Sequence, residues 1–208
     1  MRLLAVLAGL FAGAAANAAD LDVQVRTANG GRVRDAVVTL HLVRQATPLP
    51  KAGGGYAIDQ QNIQFHPFVA IVPIGASVAF TNHDSVRHHV YSFSAAKRFE
   101  LKVNERQVNR VVTFDKAGIV PLGCNIHDRM IAFINVVDTP WAAKTDANGN
   151  VSFRGVPAAG VTIDVWHPYL RAPGNRVSRP AVLAQGSARR ESFTVALRSP
   201  PRPPSADY

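Results

Sequence analysis

The sequence predicts an all-β protein. Short runs of alternating or β-branched apolar residues recur along the chain, at 23–26, 37–43, 69–72, 77–81, 89–93, 110–114, 131–137, 151–153, 162–166 and 192–197. Turn-forming clusters stand between them, among them Asn29-Gly30-Gly31, Pro73-Ile74-Gly75, Asn82-His83-Asp84, Lys116-Ala117-Gly118 and Asn148-Gly149. Short strands at such spacing belong to a β-sandwich or barrel. No long segment keeps a helical period, and residues 95–101 are the one short candidate helix.

Read in order, the chain opens on an address. Met1-Arg2 is a positive start, residues 3–16 are apolar and small, and Ala16-Asn17-Ala18 presents small residues where a signal peptidase reads. Residues 1–18 are therefore expected to be a secretory signal peptide, cleaved after Ala18 or one residue later, which places the mature chain in a bacterial periplasm. The strands follow, with Phe80, Phe93, Phe114, Phe133 and Trp166 expected in the core because they alternate with polar neighbours. Residues 199–208 are rich in proline and expected to be disordered.

Composition removes several function classes. The 208 residues are 47% hydrophobic and 18% charged, a globular balance and not a disordered one. After the leader no run nears the roughly 20 apolar residues that span a bilayer, so no transmembrane segment is expected in the mature protein. The net charge is +9, and residues 139–208 carry nine basic against four acidic side chains. That excess favours encounter with an acidic partner or an anionic membrane surface. Nucleic acid is not expected for a secreted chain without a binding motif.

One cysteine excludes an intramolecular disulfide. A free thiol in an oxidising compartment is a liability unless something occupies it. Cys124-Asn125-Ile126-His127-Asp128-Arg129-Met130 sets Cys, His and Met at a Cys-x2-His-x2-Met spacing between two β-runs. Thiolate and thioether are soft donors and imidazole is intermediate, so the set suits copper in both oxidation states. Structural zinc sites make no use of a thioether. A second histidine is needed, and His88-His89 lies upstream at the head of a strand. Two His, one Cys and a weak axial Met form the blue-copper pattern. Neighbouring strand residues face opposite ways, so only one of His88 and His89 readily points at the ion. His41, His66, His83 and His167 are expected to be structural.

These residues carry a resemblance. Ile71-Val72-Pro73-Ile74-Gly75-Ala76-Ser77-Val78-Ala79-Phe80-Thr81-Asn82, Arg87-His88-His89-Val90 and Gly118-Ile119-Val120-Pro121-Leu122-Gly123-Cys124 resemble the strands that deliver the ligands in cupredoxins of the plastocyanin and amicyanin group. The short gap from His127 to Met130 is similar to the amicyanin ligand loop. With His88 to Ser94 and Cys124 to Asp128, the segment also resembles periplasmic cupredoxin-like proteins labelled methylamine utilization proteins. The resemblance implies a cupredoxin Greek-key β-sandwich over 58–137, holding one type 1 copper through His88, Cys124, His127 and Met130. Arg87 stands where the family has proline. His89 stands where it has the asparagine that braces the ligand loop; its imidazole could brace the loop, or replace His88 as the ligand.

The flanks carry a second resemblance. Residues 23–40, and Lys144-Thr145-Asp146-Ala147-Asn148-Gly149 onward to Val165, resemble a transthyretin-like or carboxypeptidase-regulatory-like β-sandwich of the immunoglobulin type. The expectation is a discontinuous sandwich over 19–57 and 138–198, interrupted by the copper unit; the alternative is one enlarged cupredoxin.

The implied function is a non-enzymatic, one-electron carrier of the periplasm. Its implied partner is a c-type cytochrome or periplasmic dehydrogenase with an acidic docking face. A second class stays open: copper storage, delivery or sensing without redox turnover. No paired carboxylates or Ser-His-Asp spacing suggest an enzyme.

Overall fold

Period-two alternation decides how each strand lies. In β1 (Ala18–Thr27) the side chains of Ala19, Leu21, Val23 and Val25 are buried, and the polar residues between them face outward. The computed structural model describes residues 18–104 and 110–199. The expected signal peptide, apart from Ala18, and the proline-rich tail beyond Ser199 lie outside the described residues. After β1 come β2 (Val37–Leu42), β3 (Tyr56–Gln61), β4 (Gln64–His66), β5 (Val69–Pro73), β6 (Ser77–Asn82), β7 (His88–Phe93) and β8 (Arg98–Val103). They are followed by β9 (Arg110–Thr113), β10 (Gly118–Cys124), β11 (Ile131–Val137), β12 (Ala142–Lys144), β13 (Asn150–Pro157), β14 (Gly160–Trp166), β15 (Arg176–Val182) and β16 (Ala188–Val195). A single 3-10 turn, Pro173–Asn175, is the only helical element among the described residues. The protein is all-β, as its alternation predicts.

The strands form four sheets. β13-β1-β16 and β12-β2-β14-β15 enclose one apolar cluster that includes Leu21, Val25, Leu40, Ile163 and Phe193. β4-β3-β6-β9 and β5-β11-β10-β7-β8 enclose a second, with Ile58, Phe80, Phe114, Val120 and Ile134. Burying a side chain such as Phe80, which has no exposed surface, stabilises by about 1.5–3 kcal/mol.

The two pairs of sheets meet side by side. In β11 the side chains of Ala132, Ile134 and Val136 fill the second cluster, so Phe133 turns the other way. Its ring meets Phe68 at 5.6 Å and Trp166 of β14 at 5.8 Å, both edge-on. Val37, Val69 and Trp166 form the small apolar cluster of this junction.

Some expectations are corrected. Residues 95–101 are not helical: from Arg98 the chain pairs with β7 as β8, and Phe99, Leu101 and Val103 turn inward at period two. Cross-strand pairing outweighs a short local helical period. Phe93 is not core but 58% exposed. It ends β7 on the outer face, with the Arg98 guanidinium 5.9 Å over its ring. No helix among the described residues is long and apolar enough to cross a membrane.

Candidate metal centre

Three elements converge at one end of the second pair of sheets. β7 brings His88, β10 ends at Cys124, and the loop from β10 to β11 supplies His127 and Met130. β7 and β10 are antiparallel with Cys124 opposite Val90, which sets the start of one strand beside the end of the other. His88 shares its buried face with Val90 and Ser92; His89 shares the outer face with Tyr91 and Phe93.

The donor atoms form a tight triangle. His88 Nδ1 lies 3.2 Å from His127 Nδ1. Cys124 Sγ lies 3.8 Å from His88 Nδ1 and 3.6 Å from His127 Nδ1. A point equidistant from all three sits about 2.1 Å from each, within the roughly 2.0–2.3 Å reach of metal–nitrogen and metal–sulfur bonds. Cys124 and His88 are buried, and His127 is partly exposed. His88, Cys124 and His127 are the one group of three such side chains among the described residues whose ligand atoms converge this closely.

His88 is oriented from behind. Its Nε2 lies 2.9 Å from Asp84 Oδ2. An ionised carboxylate only accepts, so the Nε2 proton donates to it and Nδ1 keeps its lone pair free. Burial alone would raise the Asp84 carboxyl. The Ile63 N–H, the His88 imidazole and the Asn62 N–H together hold it below its ordinary value. His127 is shifted down, by burial first and then by the neighbouring His88, against a smaller opposing pull from Asp84. That shift favours the neutral ring, the form in which imidazole binds a metal.

Met130 is almost fully buried, in the same apolar cluster as Cys124. Its backbone N–H donates to the His127 carbonyl at 2.9 Å, closing the turn that returns the chain to β11. His89 is not brought to the triangle: its Nε2 lies 3.4 Å from the Glu100 carboxylate across the outer face. The loop is braced instead by the His89 backbone carbonyl, which accepts from the Asn125 N–H at 3.0 Å. Asp128 and Arg129 are exposed on the loop. Among the other histidines, His66 is exposed at the end of β4, His83 faces Asp59, His167 is buried, and His41 lies between Asp138 and Asp164.

Sequence reasoning missed Asp84. It reads as an ordinary turn residue in Asn82-His83-Asp84, and only the tertiary approach to His88 sets it apart. The i, i+4 spacing to His88 was the available signal.

No family model matches the chain, and no curated protein matches it. Part of the chain is similar to solved structures. A novel purple cupredoxin from Nitrosopumilus maritimus is 21% identical over 40% of this chain and 100% of that one, with a TM-score of 0.35. A methionine-to-alanine mutant of amicyanin in its Cu(I) form is 20% identical over 48% of this chain and 98% of that one, at a TM-score of 0.36. A copper-containing nitrite reductase from Thermus scotoductus SA-01 is 24% identical over 46% of this chain, at a TM-score of 0.38, and the match spans 24% of the reductase.

Proposed function

We propose that this chain is a periplasmic type 1 copper protein that carries single electrons between redox partners. Its metal would be held by His88, Cys124, His127 and Met130. One observation carries the reading: a thiol sulfur and two imidazole Nδ1 atoms stand 3.2–3.8 Å apart with a common centre at bonding distance. The bound copper would supply a site that gains and loses one electron. The chain's part is to keep the donors still. Cys124 would bind as thiolate, its proton displaced by the metal. His88 and His127 would give the other strong bonds, and Met130 would add a soft thioether donor.

Access favours the carrier over storage or delivery. Handing over an ion requires partner ligands to reach it, and Cys124, His88 and Met130 are all buried. An electron needs only a close approach, which the partly exposed His127 allows. Ile126 beside it and Val86 upstream of His88 are exposed apolar side chains, suited to desolvated contact with a partner. The +9 charge supports an acidic docking face on that partner, a c-type cytochrome or a dehydrogenase. Residues 58–137 would form the copper unit, lodged in a loop of a transthyretin-like sandwich built by 19–57 and 138–198. The periplasmic location rests on the leader-like residues 1–18.

The test is to load the purified protein with Cu(II) and record its visible spectrum. An intense thiolate-to-copper band is expected, absent in Cys124→Ser, lost in His88→Ala and retained in His89→Ala. Wild-type protein that takes up Cu(II) without such a band would refute the carrier reading.

A further inference from the structure

Behind the triangle lies a second arrangement that points at it. β3 and β4 are joined by a two-residue hairpin turn, Asn62-Ile63, and both residues have φ of +55°. Such turns favour glycine or asparagine, because a side chain at positive φ meets its own backbone. A β-branched residue is a marked outlier there. Ile63 gains little from burying its side chain, which is 48% exposed. What the turn does produce is two successive N–H groups aimed at one carboxylate. Asn62 N–H donates to Asp84 Oδ1 at 2.7 Å and Ile63 N–H to Asp84 Oδ2 at 3.1 Å. The Asp84 N–H in turn donates to Asn82 Oδ1 at 2.9 Å. Asp84 is therefore held at both oxygens and at its backbone, and it is this carboxylate that accepts the hydrogen bond from His88 Nε2–H.

We propose that Asp84 is a positioning residue of the metal centre and that the Asn62-Ile63 turn is its mount. The inference rests on the copper reading above and deepens it. Through Asp84 the β3–β4 hairpin fixes the tautomer and ring plane of His88, so Nδ1 faces Cys124 and His127 before any metal arrives. The His88 side chain has no exposed surface, so with Asp84 in place its Nε2 is shielded from solvent. Removing such a partner commonly weakens metal binding by about 10–100-fold.

Two measurements test this on the full-length protein. In the metal-free protein, NMR should show a slowly exchanging Nε2 proton on His88, and Asp84→Asn should lose that protection. In Cu(II) titrations, Asp84→Asn should bind about 10–100-fold more weakly than wild type. If Asp84→Asn does not fold, Asp84→Glu serves in its place, since a longer arm cannot keep both contacts. The proposal is overturned if the substituted protein binds Cu(II) within about twofold of wild type or keeps the His88 proton protected. Wild type that shows the protected proton but no thiolate–copper band would instead defeat the copper reading and leave the positioning role standing.

Discussion

His41 offers a pH-dependent test of how the chain's two pairs of sheets are fastened. It stands on β2 at the edge of a cavity of about 220 Å³ between β2, β14 and β11. Its Nε2 lies 2.9 Å from Asp138 and its Nδ1 3.5 Å from Asp164. Asp138 directly follows β11, so this imidazole joins one pair of sheets to the strand leaving the other. The charged groups around it are these two carboxylates and Arg176, which acts on Asp164. The Asp164 hydrogen bond raises the His41 pKa; burial opposes this, and the Asp138 bond adds to it. A raised folded-state pKa means stability fully present below the unfolded value of about 6.5 and lost as pH rises through the folded value. Two charge-assisted bonds would be worth several kcal/mol if buried. With His41 34% and Asp138 49% exposed, about 1 kcal/mol is expected. In a chain of this size that corresponds to about 2–4 °C in Tm. Gln in place of His41 mimics the neutral ring without its charge. Calorimetry should therefore show His41→Gln melting about 2–4 °C below wild type near pH 5.5, with the gap closing toward about pH 9. Other titrating groups, such as His167 with its burial-lowered pKa, are common to both proteins and cancel in the difference. A gap that stays constant with pH, or widens as pH rises, would refute the latch.

Two further outcomes follow from packing. Met130→Ala should destabilise the metal-free protein by about 2–5 kcal/mol in urea unfolding, because its side chain is buried in the core; a smaller loss would mean that the thioether contributes little to packing. Gly149 and Gly155 both have positive φ, but a Cβ on Gly149 would sit 2.4 Å from the Val25 carbonyl oxygen, whereas one on Gly155 meets nothing within 4 Å. Gly155→Ala should cost about 1–2 kcal/mol for its backbone conformation alone, and Gly149→Ala at least about 2 kcal/mol more, read by the same unfolding curves.

The strands with strong alternation were legible, because an apolar face must be buried wherever it lies. β15 was not. Its Arg176, Ser178, Arg179 and Pro180 give no alternation, and it is a strand because β14 offers it a paired edge from Gly160 to Trp166. β3 and β4 were missed for a related reason: Asn62-Ile63 lacks the Asn-Gly or Asp-Gly signature of a two-residue hairpin. Phe93 was misplaced because period two says which residues share a face, not which face is covered. At the candidate site the spacing of Cys124, His127 and Met130 was visible, and so was the need for an upstream histidine. The turning of His89 toward Glu100 follows from the pairing of β7 with β8, and the hold of Asp84 on His88, four residues on, depends on how the β3–β4 turn, more than twenty residues upstream, grips the carboxylate.

Strand register sets the donor cluster and the chain's entry and exit at opposite ends of the second pair of sheets. β3 runs parallel to β6 with Tyr56 beside Val78 and Gln60 beside Asn82, so the entry lies level with the start of β6. β11 runs parallel to β5 with Val137 beside Pro73, and Pro73 is four residues before that start. Entry and exit therefore share one end. The other end holds Asn82, the Asp84 turn, His88 at the head of β7 and Cys124 at the tip of β10. A segment whose ends lie together can sit in a loop of another unit without distorting it. The crossings at that shared end are themselves pinned. The Thr139 hydroxyl donates to the Leu40 carbonyl at 2.6 Å, the Leu40 N–H donates to the Trp141 carbonyl at 2.9 Å, and Asp138 takes His41. Loosening the latch at His41 would therefore act on the junction, a full strand length from the sulfur of Cys124. Its pH dependence should appear in stability and leave the Cu(II) spectrum unchanged.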